Sequence, residues 1–295
     1  MSIARIRSWY WSLSKLDTLL ALTIVTISSL LIFRLPLITH FRGIYFNETF
    51  QYLLVTLFGL ACVLVVRPPT ISYFGWPRIS WVSFFVSATA LFLIVLYIHD
   101  GYLIKQPLRF RIAGVISILF IGFGEEMISR VLVFGTLQRF GTRYAVLVSS
   151  AFFGLMHINV YLPDWSSWDV YWHVMSATGF GLFACALFIA TRSYWIVAIV
   201  HGLADWSVVF DKKNTVTDNY SPGILEGLRW GFEGLFLECG LFGLLFLFIL
   251  RGRWPKWVIR LAVKWKLIEQ AEVVTESNKW KKYFSRFRKK IEIDK

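Results

Sequence analysis

The chain has 295 residues, 57% hydrophobic and 17% charged, with mean hydropathy +0.59 and a formal net charge of +13. A soluble domain is about 45–50% apolar and about 25% charged. This composition therefore excludes an ordinary soluble domain, a disordered chain and a secreted disulfide scaffold. It predicts an all-α polytopic membrane bundle of about eight spans, at about 20 apolar residues each.

In chain order the apolar runs are residues 18–33, 50–66, 80–98, 112–137, 144–158, 172–190, 194–210 and 224–250. Charges and turn residues separate them, as at Arg67-Pro68-Pro69 and Leu162-Pro163-Asp164. Runs of this length without period-two alternation read as helices, because lipid admits only helices or closed barrels. The first run is not a signal peptide: Arg34 and Pro36 follow it, not a small-residue cleavage site. Residues 1–250 thus form the predicted bundle, with the motifs described below inside 112–210. In the last run Gly223, Gly227 and Gly231 make a small-residue stripe of the kind that lets helices approach closely.

Residues 251–295 form a basic tail with 14 Lys/Arg and 5 Asp/Glu, +9 of the total charge. Trp257, Val258, Leu261, Trp265 and Ile268 lie on one helical face of it. That pattern suits a cytoplasmic helix on a membrane surface, bound to anionic lipid. A positive-inside tail accounts for these charges, so no nucleic-acid partner is expected. With eight spans both termini share one side, and the tail marks it as cytoplasmic. The expected location is a bacterial plasma (inner) membrane. Cys62, Cys185 and Cys239 are separated residues in apolar runs and imply packing, not a thiolate metal site.

An ionisable side chain at a span centre costs about 2.5–3.5 kcal/mol on insertion scales, so a cluster of them needs a reason. The fourth run holds Glu125, Glu126 and Arg130, the fifth Phe153 and His157, the seventh His201 and Asp205. At about 1.5 Å per residue, Glu126 lies about 20 Å from Arg139 and His157 about 21 Å from Arg143. Asp205 lies about 20 Å from Arg192, and His201 about 14 Å. Three helices therefore put their costly groups in one layer near mid-membrane. Glu126 and Arg130, four apart, are expected to pair. Glu125 lies about 100° round the helix from Glu126 and is left for chemistry. His201 and Asp205 are also four apart, so the carboxylate could orient the imidazole, or both could face a bound group. A water-activating Glu with two His is enough for peptide hydrolysis. The plainer alternative is a buried hydrogen-bonded network that locks helices together. Elsewhere, Arg229 and Glu233 are expected to pair, and His173 reads as a solvated residue at a helix start. Glu238, about 20 Å from Arg251, shares the depth of the cluster.

The three segments resemble the CPBP family, the CAAX proteases and bacteriocin-processing proteins also called the ABI family. Its pattern is Glu-Glu-x-x-x-Arg, then Phe-x-x-x-His, then His-x-x-x-Asn or Asp, here Glu125-Glu126…Arg130, Phe153…His157 and His201…Asp205. The resemblance implies an eight-helix core and a glutamate-dependent intramembrane endopeptidase acting on a membrane-associated peptide or protein. It implies that Glu125 activates water, supported by Glu126 and Arg130, while His157 and His201 stabilise the intermediate. Asp205 stands where many members have Asn, and an ionised Asp cannot donate to an oxyanion, so Asp205 is either protonated or acts on His201 instead. The resemblance implies no cofactor. Zinc is the alternative, since Glu, His and Asp are acceptable ligands, although His-Glu-x-x-His is absent. Rival functions for the same groups are a proton- or ion-coupled transporter and a non-catalytic membrane partner or immunity protein.

Overall fold

The structure is a computed structural model that describes residues 2–34, 44–75, 77, 80–97, 107–160, 167–205, 223–237 and 239–250. The basic tail, Glu238 and residues 206–210 of the seventh apolar run lie outside the described residues. The described chain is all helical. Its helices are α1 (Ile3–Ser12), α2 (Lys15–Arg34), α3 (Ile44–Val66), α4 (Trp81–Tyr97) and α5 (Leu108–Glu126). After them come α6 (Thr142–Met156), α7 (Ser167–Thr191), α8 (Tyr194–Ala204), α9 (Ile224–Leu237) and α10 (Gly240–Leu250). Helix α5 runs on through a π-helical segment, Met127–Phe134, and two short turns to Phe140.

The protein is a multi-pass membrane protein. Lys15–Ile32, Thr49–Val66, Arg111–Phe140 and Ser167–Thr191 are each long and apolar enough to cross a bilayer, and α9 with α10 forms a bent fifth candidate. Ser83–Phe92, Thr142–Met156 and Tyr194–Ala204 are shorter apolar helices. Helices α6 and α8 end at Met156 and Ala204, directly before the motif residues His157 and Asp205.

Side-chain contacts fix which helix ends lie together. Arg7 donates from Nε to the Val65 carbonyl at 2.9 Å and from Nη2 to the Leu64 carbonyl at 3.1 Å. Trp11 Nε1 donates to the Val66 carbonyl at 2.8 Å. Helix α1, which hydropathy alone does not reveal, thus satisfies the orphan carbonyls at the end of α3. Arg139 in turn donates to the Trp11 carbonyl at 3.0 Å and contacts Thr18 Oγ1. Lys15 Nζ sits 3.7 Å over the Tyr144 ring, at the start of α6. Between α3 and α4 a 3₁₀ segment, Pro69–Phe74, turns inward: its Tyr73 ring lies 4.9 Å from Phe188 and its Phe74 ring 4.7 Å from Tyr194. One end of the bundle therefore gathers α1, the start of α2, the end of α3, Arg139, the start of α6, the end of α7 and the start of α8. Among its described residues this end carries Arg5, Arg7, Lys15, Arg67, Arg139, Arg143 and Arg192 against one acid, Asp17.

Close crossings set the depth at which the motifs meet. A Cβ on Gly122 would lie 2.0 Å from the Ala198 carbonyl oxygen, and one on Gly202 would lie 2.4 Å from that of Ile118. Small residues on both partners thus let α5 and α8 touch backbone to backbone. Gly154 does the same for α6 against α7, where its Cβ would meet Thr178 Oγ1 at 2.0 Å and the Val174 carbonyl oxygen at 2.6 Å. On α9 the stripe works through Gly227 against Trp168 and Gly231 against Tyr171, whereas a Cβ on Gly223 would meet open space. Gly122→Ala has backbone, not a flexible side chain, in its way. Overpacking of this kind costs about 1–3 kcal/mol, so the variant should unfold at lower temperature than wild type in the same detergent.

Candidate active site

Glu125 and Glu126 end α5, immediately before the helix widens. The Gly135 N–H donates to the Arg130 carbonyl, five residues back. Such π-helical turns are rare and recur at functional sites. Two hydroxyls support this segment. Tyr194 donates to the Phe123 carbonyl at 2.9 Å, and the fully buried Thr70 donates to the Val131 carbonyl at 2.6 Å.

Glu126 is wholly buried between two partners. Its Oε2 lies 3.0 Å from Arg130 Nε, and its Oε1 accepts from His201 Nδ1 at 2.8 Å. The carboxylate thereby ties the π-helical segment to α8, by an ion pair at one oxygen and a hydrogen bond at the other. Arg130, also without exposure, packs its guanidinium 4.6 Å from the centroid of the Phe153 ring. That contact is a cation–π interaction in a dry setting, where such contacts are strongest. The Phe153 ring also lies 4.6 Å from the His157 ring and 5.4 Å edge-on from the His201 ring. Phe153 is therefore the surface on which the arginine and both histidines are set.

Glu125 shares His201 with its neighbour but meets the opposite ring nitrogen, and has no arginine. Its Oε2 lies 3.7 Å from His157 Nε2 and 3.7 Å from His201 Nε2, and has no hydrogen-bond partner. Each imidazole is oriented from its far side. His157 Nδ1 donates to the Phe153 carbonyl at 2.8 Å, and His201 Nδ1 is held by Glu126. Both rings consequently turn Nε2 toward the same carboxylate oxygen. Asp205 Oδ2 lies 3.3 Å from His201 Nε2, so His201 has a carboxylate at each nitrogen.

All seven residues singled out in the three motifs come together, and an eighth joins them. His173, on the second turn of α7, is half-buried, and its ring lies 5.2 Å from that of His157 in an edge-to-face arrangement. Reading it as a solvated residue at a helix start is corrected. Its place in the sequence shows only a helix start, and the α6–α7 contact at Gly154 brings it beside the motif residues. The expected Arg229–Glu233 pair forms, at 2.6 Å, on the outside of α9. Among the described residues no group of three or more His, Cys, Asp or Glu is arranged to hold a metal ion.

The arrangement can do acid–base chemistry. It combines a carboxylate oxygen free of other bonds, two imidazole nitrogens converging on it, and a fully buried ion pair holding the frame. Residues 107–207, about a third of the chain, match the model of the family described as type II CAAX prenyl endopeptidase Rce1-like. Over this segment the chain is similar to that family of CAAX-protease-type membrane hydrolases, in agreement with the resemblance its three motifs carry. No curated protein and no solved structure matches the chain.

Proposed function

We propose that this chain is an intramembrane endopeptidase that hydrolyses a peptide bond of a membrane-associated peptide or protein, with Glu125 as general base. The observation that carries this reading is the convergence of His157 Nε2 and His201 Nε2 on Glu125 Oε2, each at 3.7 Å. That spacing is too long for direct hydrogen bonds and suits a small polar group shared among the three.

In the proposed reaction Glu125 takes a proton from water, and the oxygen adds to the carbonyl carbon of the scissile bond. The tetrahedral oxyanion is stabilised by His201 and by His157 in its doubly protonated form, which donates from Nε2 while Nδ1 holds the Phe153 carbonyl. Collapse breaks the C–N bond as Glu125 returns its proton to the leaving amine. Glu126, with Arg130, positions His201 and does not touch substrate. Asp205 also acts on His201: a ring with a carboxylate at each nitrogen can donate from both. This assigns to Asp205 the orientation of the imidazole, in place of the direct donation an Asn would make.

We further propose that hydrolysis needs no metal. Glu126 is already bound to Arg130 and His201, and His157 Nδ1 to a backbone carbonyl. Cleavage by the purified protein should persist in a chelator and gain nothing from added zinc. Loss with chelator, restored by zinc, would reverse this assignment.

The reading is tested by comparing peptide termini, by mass spectrometry, in membranes from cells expressing wild type or Glu125→Gln at matched levels. Termini present only with wild type are expected and name the substrate. Identical termini would leave the site as a structural network and favour the binding-partner alternative.

A further inference from the structure

The site is closed toward one end of the bundle. From Met127 to Gln138 twelve consecutive residues are buried, none with more than 4% of its surface exposed where a value is given. They occupy the half of the span between Glu126 and Arg139. The Pro69–Phe74 segment fits beneath them: Thr70 bonds to Val131, and a Cβ on Gly135 would meet Thr70 Oγ1 at 2.1 Å. Tyr73 and Phe74 pack on Phe188 and Tyr194. This closed half points to the end that carries Arg7, Arg67, Arg139 and Arg192.

The site residues themselves are not sealed in this way. The side chains of Glu125, His157 and Asp205 are 14%, 16% and 28% exposed. His157 and Asp205 follow the last residues of α6 and α8, the ends farthest from Thr142 and Tyr194 and hence from the basic layer. Lys/Arg-rich ends of membrane bundles face the cytoplasm, and the 251–295 tail adds +9 to the same side when the final pass is counted.

We infer that the site is entered from the non-cytoplasmic side of the membrane, and that its substrate is a peptide segment presented from that side, not a cytoplasmic tail. The second half of this inference rests on the proteolytic reading above; the side of entry does not.

The experiment uses the full-length chain in bacterial cells, with Cys62, Cys185 and Cys239 replaced by Ala. It carries one new cysteine, from Asp205→Cys at the site or Ser12→Cys at the basic end. A membrane-impermeant maleimide added to intact cells, with the outer membrane permeabilised, should label Asp205→Cys at least tenfold faster than Ser12→Cys. In inside-out vesicles the order should reverse. Labelling of Asp205→Cys only from the cytoplasmic face, or from neither face, overturns the inference, as does labelling of Ser12→Cys from outside. Leu203→Cys is run in parallel, so that misfolding of the Asp205 variant cannot pass for closure. The otherwise wild-type chain supplies the second arm, in which Glu125-dependent termini should map to non-cytoplasmic segments. Termini in cytoplasmic segments would overturn the substrate assignment while leaving proteolysis intact. The absence of Glu125-dependent termini, with labelling from outside, would remove proteolysis and keep the side of entry.

Discussion

Glu125→Gln is expected to lower the rate of peptide cleavage by the purified protein by about 10²–10⁴-fold, the usual worth of a positioned general base. Its unfolding temperature should stay close to that of wild type. Gln keeps the shape of the side chain and can still lie between His157 and His201, but it cannot take a proton from water. The neighbouring carboxylate is the control. Glu126 is wholly buried and holds Arg130 and His201 at 3.0 and 2.8 Å, so Glu126→Gln should lose stability as well as rate. Equal rates and equal stabilities for the two variants would remove the division of labour between these adjacent residues. The paired assay of rate and thermal unfolding separates the outcomes.

Arg130→Leu is expected to destabilise the protein by about 3–5 kcal/mol, the cost of breaking a buried ion pair from one side only. The variant leaves Glu126 in the interior with His201 as its one remaining polar contact, and takes the guanidinium off the Phe153 ring. Phe153 then loses one of the three groups it orients, so the loss should reach His157 and His201 too. Pairing Arg130→Leu with Glu126→Leu should recover part of the stability but none of the activity, because His201 would still lack its Nδ1 partner. Chemical or thermal unfolding of the single and double variants measures the coupling. A single variant as stable as wild type would show that the ion pair is not what holds the π-helical segment to α8.

The candidate site was legible in the sequence because ionisable residues in apolar runs are costly and few. Glu125, Glu126, Arg130, His157, His201 and Asp205 stand out for that reason, and residue counting puts them in one layer. What holds them there was not legible. A π-helical segment changes backbone hydrogen bonding without altering hydropathy, so Met127–Phe134 reads as ordinary span. Gly122 and Gly202 mark the closest helix crossing, yet apolar runs contain many glycines, and nothing local says which meet backbone. The inward turn at Pro69–Phe74 looks like a linker, since Pro-Pro after a charge is what any loop would show. His173 was missed because counting along straight helices ignores how helices lean against one another.

The buried half of the α5 span also bears on the bilayer around it. Twelve consecutive residues packed without access to solvent, backed by a segment folded in from the Arg67 end, make poor ground for a continuous file of water or ions. The protein reconstituted in liposomes is therefore expected to leave an imposed proton gradient intact, even though each copy places carboxylates and imidazoles deep in an apolar bundle. Electrical insulation of this sort is what a transporter built on the same residues would have to give up.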